Sequence, residues 1–275
     1  MNFNELDIAK VPAVAGCGIR LWDDAVAWEQ INTSLNVYNW KPLDEWIATA
    51  KVANRDVLYV FGRTPKWATT GAPCAYNAWC AGVPSDVGTT DHQWREFVQA
   101  LVLHEKGKIQ FYELWNEPNE PNSWAGTTAQ LVTMAKDASG LIRALDPAAK
   151  VVSPTPTLAS PQVWMQGYLA AGGASTFDIM AFHAYAQDPN DVLIMADALT
   201  ALAGGKPLWM TEGSWGLWTP QTMTAQVIYV YTYHKNLRAA GIERVYWYAW
   251  DNTKWGTLTG KPAGQAYNEL PLSIQ

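Results

Sequence analysis

Short apolar runs alternate along this chain with longer stretches of helical periodicity, and the runs tend to end on polar residues. The runs are "CGIRLW", "DVLYVFG", "IQFYELW", "KVVSPTP", "FDIMAFHAY", "PLWMTEG" and "ERVYWYAW". Between them lie stretches such as "LDEWIATAKVAN" and "DHQWREFVQALVLHEKG". In the second, Trp94, Phe97 and Leu101 recur as on one face of a helix. Strands alternating with helices of about 10–15 residues imply a parallel sheet with crossover helices. The expected class is α/β, a (β/α)8 barrel built as a single domain over residues 1–275. Seven runs are one short of a closed barrel. The opening "MNFN" is expected to supply the first strand, short or irregular, with "ELDIAKVPAVAG" as its crossover. A doubly wound sheet is the alternative.

In a barrel all strand tails meet at one face, and the chemistry sits there. The tails here carry Arg20, then Asn116 and Glu117, then His183 and Tyr185, then Glu212, then Trp250 and Asp251. Any one of these could simply begin a loop. Several polar tails, each fed by an apolar strand, describe a site. Glu117 and Glu212 stand out among them. Counting "MNFN" as the first strand, they end strands four and seven, on opposite sides of the mouth. Two carboxylates facing one another across a cleft suit glycoside hydrolysis, where one protonates the leaving oxygen and the other attacks or activates water.

Composition narrows the partners. A net charge of -6, a pI near 5.2 and the lack of a basic run argue against nucleic acid and acidic membrane surfaces. No stretch reads as a transmembrane span or a signal peptide. The 16 tryptophans and 12 tyrosines exceed the six phenylalanines. Such flat rings with polar handles serve a core or a sugar-stacking cleft equally well. The candidates for the cleft are Trp67, Trp215, Trp247, Trp250 and Trp255, while Trp22 suits either place and Trp115 suits packing behind the motif. The cysteines and the four histidines lack metal-ligand spacing, so neither metal nor cofactor is expected. Cys74 and Cys80, within "GAPCAYNAWCAG", can close a local disulfide or stand as two thiols, and Cys17 reads as a buried apolar residue. The disulfide reading goes with an extracellular or periplasmic protein, and a monomer is expected.

"WNEPN" and "WMTEG" resemble the acid/base and nucleophile strand ends of the large retaining (β/α)8 clan of glycoside hydrolases, clan A. The likeness runs from Arg20 to Trp250. Stretches such as "GIRLWDD" and "VLYVFGRTPKWA" bring it nearest to family 39-like and family 5-like members, among them xylosidases and exopolysaccharide-cleaving enzymes. The resemblance implies Glu117 as acid/base, Glu212 as nucleophile and Asn116 as partner of a sugar 2-hydroxyl. It also implies Arg20 as the residue holding the nucleophile, and an aromatic platform on strand eight, from Trp247 or Trp250. Tyr185 is expected to donate to Glu212, and His183 to orient Glu117 or bind a hydroxyl. The implied substrate is a β-linked polysaccharide or oligosaccharide, and the modest loops favour an open groove and internal cleavage. Exo action, transglycosylation and non-catalytic sugar binding are the rival readings.

Overall fold

The computed structural model describes residues 1–3, 18–69, 74, 79–84, 93–157, 160–252 and 254–271. All seven apolar runs are strands or contain one: Ile19–Leu21, Val57–Val60, Phe111–Glu113, Lys150–Val152, Met180–His183, Leu208–Gly213 and Arg244–Trp247. The first four pair in parallel in that order, and so do the last three. Two seams join these sheets into a barrel. Val152 bridges Ile179 in parallel at one seam. At the other, residues 1–3 lie between the first and last strands. There the Arg20 amide donates to Met1 O, the Asn2 amide to Trp247 O and the Trp250 amide to Asn2 O. The opening residues thus fill the eighth strand position, as expected, with the doubly wound alternative excluded by closure. The expected crossover over "ELDIAKVPAVAG" and Cys17 lie outside the described residues.

The jacket of helices follows from periodicity. Gln93–His104 buries Trp94, Phe97, Val98, Leu101 and Val102, one stripe at helical spacing. Thr128–Leu145 starts at Thr127, whose hydroxyl accepts from the Gln130 amide while Gln130 reaches back to the Thr127 amide. The helices Lys41–Val52, Pro161–Ala170, Val192–Thr200, Met223–Ala239 and Pro262–Asn268 complete the described ring. None of the described helices is long and apolar enough to cross a membrane. Two hairpins decorate the strand-tail face: Asn32–Ser34 with Val37–Tyr38, and Thr64–Pro65 with Trp79–Cys80. A Cys74–Cys80 disulfide ties the second one.

Inside the barrel the lower layer is apolar. Leu58, Val152, Ile179, Ala181, Trp209 and Tyr246 pack together, with Phe111 against them. Arg244 closes that end, its guanidinium 4.6 Å from the Phe111 ring and 4.7 Å from the Trp209 ring. Above this layer the inward side chains become polar, and the site begins.

Candidate active site

Arg20 is the hub. It lies mid-strand, points inward and is fully buried. Its Nε and Nη2 donate to the two oxygens of Glu113, at 3.2 and 2.7 Å. Its Nη1 donates to Glu212 Oε2 at 2.6 Å and to Asn2 Oδ1 at 3.2 Å, and Nη2 also donates to Asn116 Oδ1 at 2.8 Å. Burial would weaken a guanidinium's hold on its proton, but Glu113 and Glu212 outweigh it and raise Arg20 above its usual range. Every nitrogen of the fork is engaged, which fixes its orientation.

Glu212 reaches this hub through an irregularity. Strict alternation along "LWMTEG" would put Trp209 and Thr211 inward and Glu212 outward. The register against Met180–His183 slips between Met210 and Glu212, so that Glu212 pairs with His183. The bulge re-aims the carboxylate into the mouth. There Tyr185 donates to its Oε1 at 2.5 Å.

Glu117 arrives differently. It sits just beyond Phe111–Glu113, with a left-handed φ of 47° that residues other than glycine rarely adopt. Its amide donates to Thr155 O at 2.9 Å, and its carbonyl accepts from the Glu120 amide. This turn, with Pro118 inside it, lifts the carboxylate over the barrel. One oxygen of Glu117, one of Glu212 and a ring nitrogen of His183 all lie within 4.8 Å of one another. That trio has the spacing of a cation site. It is poorly suited to one, because Glu212 already accepts from the Arg20 guanidinium and both ring nitrogens of His183 are engaged.

The tautomer of His183 decides the charge on the pair. Burial pushes both carboxyls up. With a positively charged imidazole, Glu117 ends below its usual range, because the His183 hydrogen bond and charge outweigh burial. Glu212 ends above, because there burial outweighs His183 and Arg20. The hydrogen bonds argue against that charge. A guanidinium accepts nothing, and both hydrogens of Arg20 Nη2 already face Glu113 and Asn116, so His183 Nε2, 3.3 Å away, presents its lone pair to that cation rather than a hydrogen. His183 Nδ1–H then donates to Glu117 Oε1 at 2.8 Å, and the ring is neutral. What remains is Arg20 at 2.6 Å from Glu212. These contacts favour the negative charge on Glu212 and the shared proton on Glu117.

The cleft above holds about 340 Å³. Its aromatic walls are Trp22, Tyr185, Tyr248 and Trp255, and its polar groups are Asp23, Asn116, Glu117, Glu120, Thr157 and Glu212. Trp22 lies across Gly62, where a Cβ would come within 2.6 Å of the ring. Tyr248 donates to Asp23 Oδ2 at 2.7 Å, and Arg63 pairs with the other Asp23 oxygen at 2.5 Å. A larger hollow of about 640 Å³ opens elsewhere, between the Lys41–Val52 helix and the turn at Gly107 and Lys108. None of the strand-tail residues lines it.

The structure brings Arg20, Asn116, Glu117, His183, Tyr185, Glu212 and Trp255 together. Arg20 and His183 are fully buried, so they hold the carboxylates rather than line the cleft. Trp215 and Trp247 correct the cleft expectation. Both are fully buried behind the strands, 4.9 Å apart centre to centre, with Trp247 stacked on His234. Neither Trp247 nor Trp250 is the platform, because the strand ends at Trp247 and Tyr248 turns into the cleft instead. Trp250 joins the main core, and Trp67 donates to Asn32 O at 3.0 Å; neither lines the cleft. Trp115 packs behind the motif against Trp94 and Trp124. Sequence reasoning missed Glu113, Asn2, Asp23, Glu120, Thr157 and Tyr248. Glu113 was legible from its two-residue spacing after the inward Phe111. Tyr248 carried no signal.

A closed parallel barrel with two carboxylates facing each other at its strand-tail mouth defines a glycosidase-type catalytic barrel. The chain belongs to the glycosyl hydrolase catalytic core family, whose model matches residues 16–263. Its fold is that of the retaining clan-A barrels related to families 39 and 5. It is similar to a GH39 β-xylosidase from Caulobacter crescentus, with a TM-score of 0.74 and 19% identity, covering 95% of this chain and 65% of that one. It is also similar to a GH39 enzyme from Xanthomonas axonopodis pv. citri, with a TM-score of 0.69, 18% identity, and 91% and 59% coverage. Fungal β-1,4-galactanases match with a TM-score of 0.68, 16% identity, and 92% and 88% coverage. The chain thus spans less than two thirds of the length of those GH39 enzymes. No curated protein matches it in sequence.

Proposed function

We propose that this chain hydrolyses β-glycosidic bonds in a polysaccharide or oligosaccharide by double displacement. The observation that carries this is the close approach of the two carboxylates, oxygen to oxygen within 4.8 Å. Retaining enzymes hold their carboxyl groups about 5–5.5 Å apart, and inverting ones about 6.5–9.5 Å, leaving room for a water. Glu212, ionised beside Arg20, attacks the anomeric carbon while Glu117 gives its proton to the departing sugar oxygen. A covalent glycosyl ester on Glu212 and a free alcohol result. Water then adds to the anomeric carbon, its proton passes to Glu117, and the ester bond to Glu212 breaks. Asn116 spends its carbonyl on Arg20, so its NH2 is what it can offer a sugar hydroxyl. Trp22, Tyr248 and Trp255 offer stacking faces. The modest length of the loops in the sequence favours internal cleavage, and the disulfide favours an extracellular or periplasmic setting.

The test starts with reducing-end release from a panel of β-linked polysaccharides, with acceptor sugar added to reveal transfer. Glu212→Ala should then abolish turnover, by about 10⁴-fold or more, and azide should restore some activity with an inverted product. Glu117→Ala should still form the ester from an activated aryl glycoside while losing about 10²–10⁴-fold on a polysaccharide. Azide there should give the retained product. Swapped configurations in the NMR spectra reverse the roles. Full polysaccharide activity in either variant removes that glutamate from the chemistry.

A further inference from the structure

Glu113 is a fully buried carboxylate that the proposed chemistry does not use. Both its oxygens accept from Arg20, and Arg20 in turn donates to Glu212. One guanidinium charge is therefore divided between a carboxylate in the cleft and one beneath it. Arg20 and Glu113 cancel. The Glu117–Glu212 pair is left with no uncompensated positive charge, and two carboxylates this close do not both ionise without one.

The groups facing the pair from the other elements do not alter the count. His183, on Met180–His183, turns the lone pair of Nε2 toward Arg20 and brings no charge. Tyr185 and Tyr248 are phenols that burial pushes further up, so they stay neutral. Asp24, on the loop after Arg20, is likewise pushed up by burial and by Asp23. Asp23 is paired with Arg63, the other guanidinium on this face. Glu120, on the rim, adds negative charge.

We propose that Glu113 is a positioning residue that sets the proton count of the site. By taking up the charge of Arg20, it makes the cleft pair keep one proton, and the geometry gives that proton to Glu117. The consequence for rate rests on the double-displacement reading, but the proton count itself does not.

Glu113→Gln removes one negative charge at nearly constant shape. Arg20 then acts undivided on the pair, and Glu117 should lose its proton about 1–2 pH units lower. Two readouts follow this. The upper limb of the kcat/KM profile on a polysaccharide should move down by that amount, and the limb for an aryl glycoside needing no protonation should stay. In ¹³C-carboxyl spectra of glutamate-labelled protein, assigned with Glu117→Gln, the Glu117 midpoint should fall equally. The spectral shift appears even if nothing is hydrolysed, so a wrong reaction and a wrong role for Glu113 leave different results. Lower activity at every pH with an unmoved midpoint would mean that Glu113 only fills space, and would overturn the proposal. If the variant fails to fold, the native protein decides. In mildly acidic buffer Glu113 must be ionised and Glu117 protonated, and a protonated Glu113 or two ionised cleft glutamates overturns the proposal.

Discussion

The same strands build two unlike layers inside one barrel. Phe111 and Glu113 are two residues apart on one strand face, yet one packs against Trp209 and the other grips a guanidinium. The lower layer is held by burial, which has no direction and tolerates exchange of one apolar group for another. The upper layer of Asn2, Arg20, Glu113, His183 and Glu212 is held by hydrogen bonds between charged and polar groups at fixed distances. Removing one partner there leaves others buried and unpaired. The difference teaches that the barrel's stability and its chemistry reside in different layers, and that perturbations of similar size should read out differently in each.

Arg20→Ala should break the contrast most severely. It leaves Glu113 and Glu212 buried without their cation, a loss of about 3–5 kcal/mol, and misplaces the Glu212 carboxylate, which on the proposed mechanism costs about 10²-fold or more in rate. Denaturant titration and kinetics on one preparation check both. Arg20→Lys keeps the charge without the fork, so it should recover stability better than rate.

Trp209→Ala should cost about 3–5 kcal/mol through the cavity it leaves. The surviving folded protein should keep the wild-type KM and pH profile. A changed pH profile would show that the two layers are not separable.

A buried histidine outside the barrel sharpens the comparison at a smaller scale. His234, on the helix Met223–Ala239, packs behind Trp247 with its Nδ1 bonded to Val230 O. Burial pulls it down to about 4. Between that value and the ordinary 6.5 the unfolded chain binds more protons, so stability is full above about pH 6.5 and is lost as pH falls toward 4. The loss reaches about 3 kcal/mol. His234→Phe should flatten that part of the stability profile while leaving the activity profile alone, since His183 and not His234 faces the carboxylates.

Much of this molecule is legible in the linear chain because local physics writes it there. An apolar run with a polar tail is a buried strand ending at the barrel mouth wherever it occurs, so the strands, the mouth and the position of Glu117 and Glu212 at strand ends can be read from the linear chain. Residues 1–3 can be assigned to the remaining position because a closed barrel demands a strand between Ile19–Leu21 and Arg244–Trp247. The helix jacket is read from its stripes in the same way.

Other decisions belong to the assembled fold. Alternation alone would turn Glu212 outward, and only the register slip against Met180–His183 brings it in. Trp247 follows the inward Tyr246 and faces outward by alternation, but it is the path after the strand ends that sends Trp215 into the core and Tyr248 into the cleft. The neutrality of His183 follows from a guanidinium 163 positions away along the chain. Side-chain direction in a regular strand repeats every two residues and can be extrapolated. Bulges, turns and shared protons depend on partners that meet only when distant strands lie side by side.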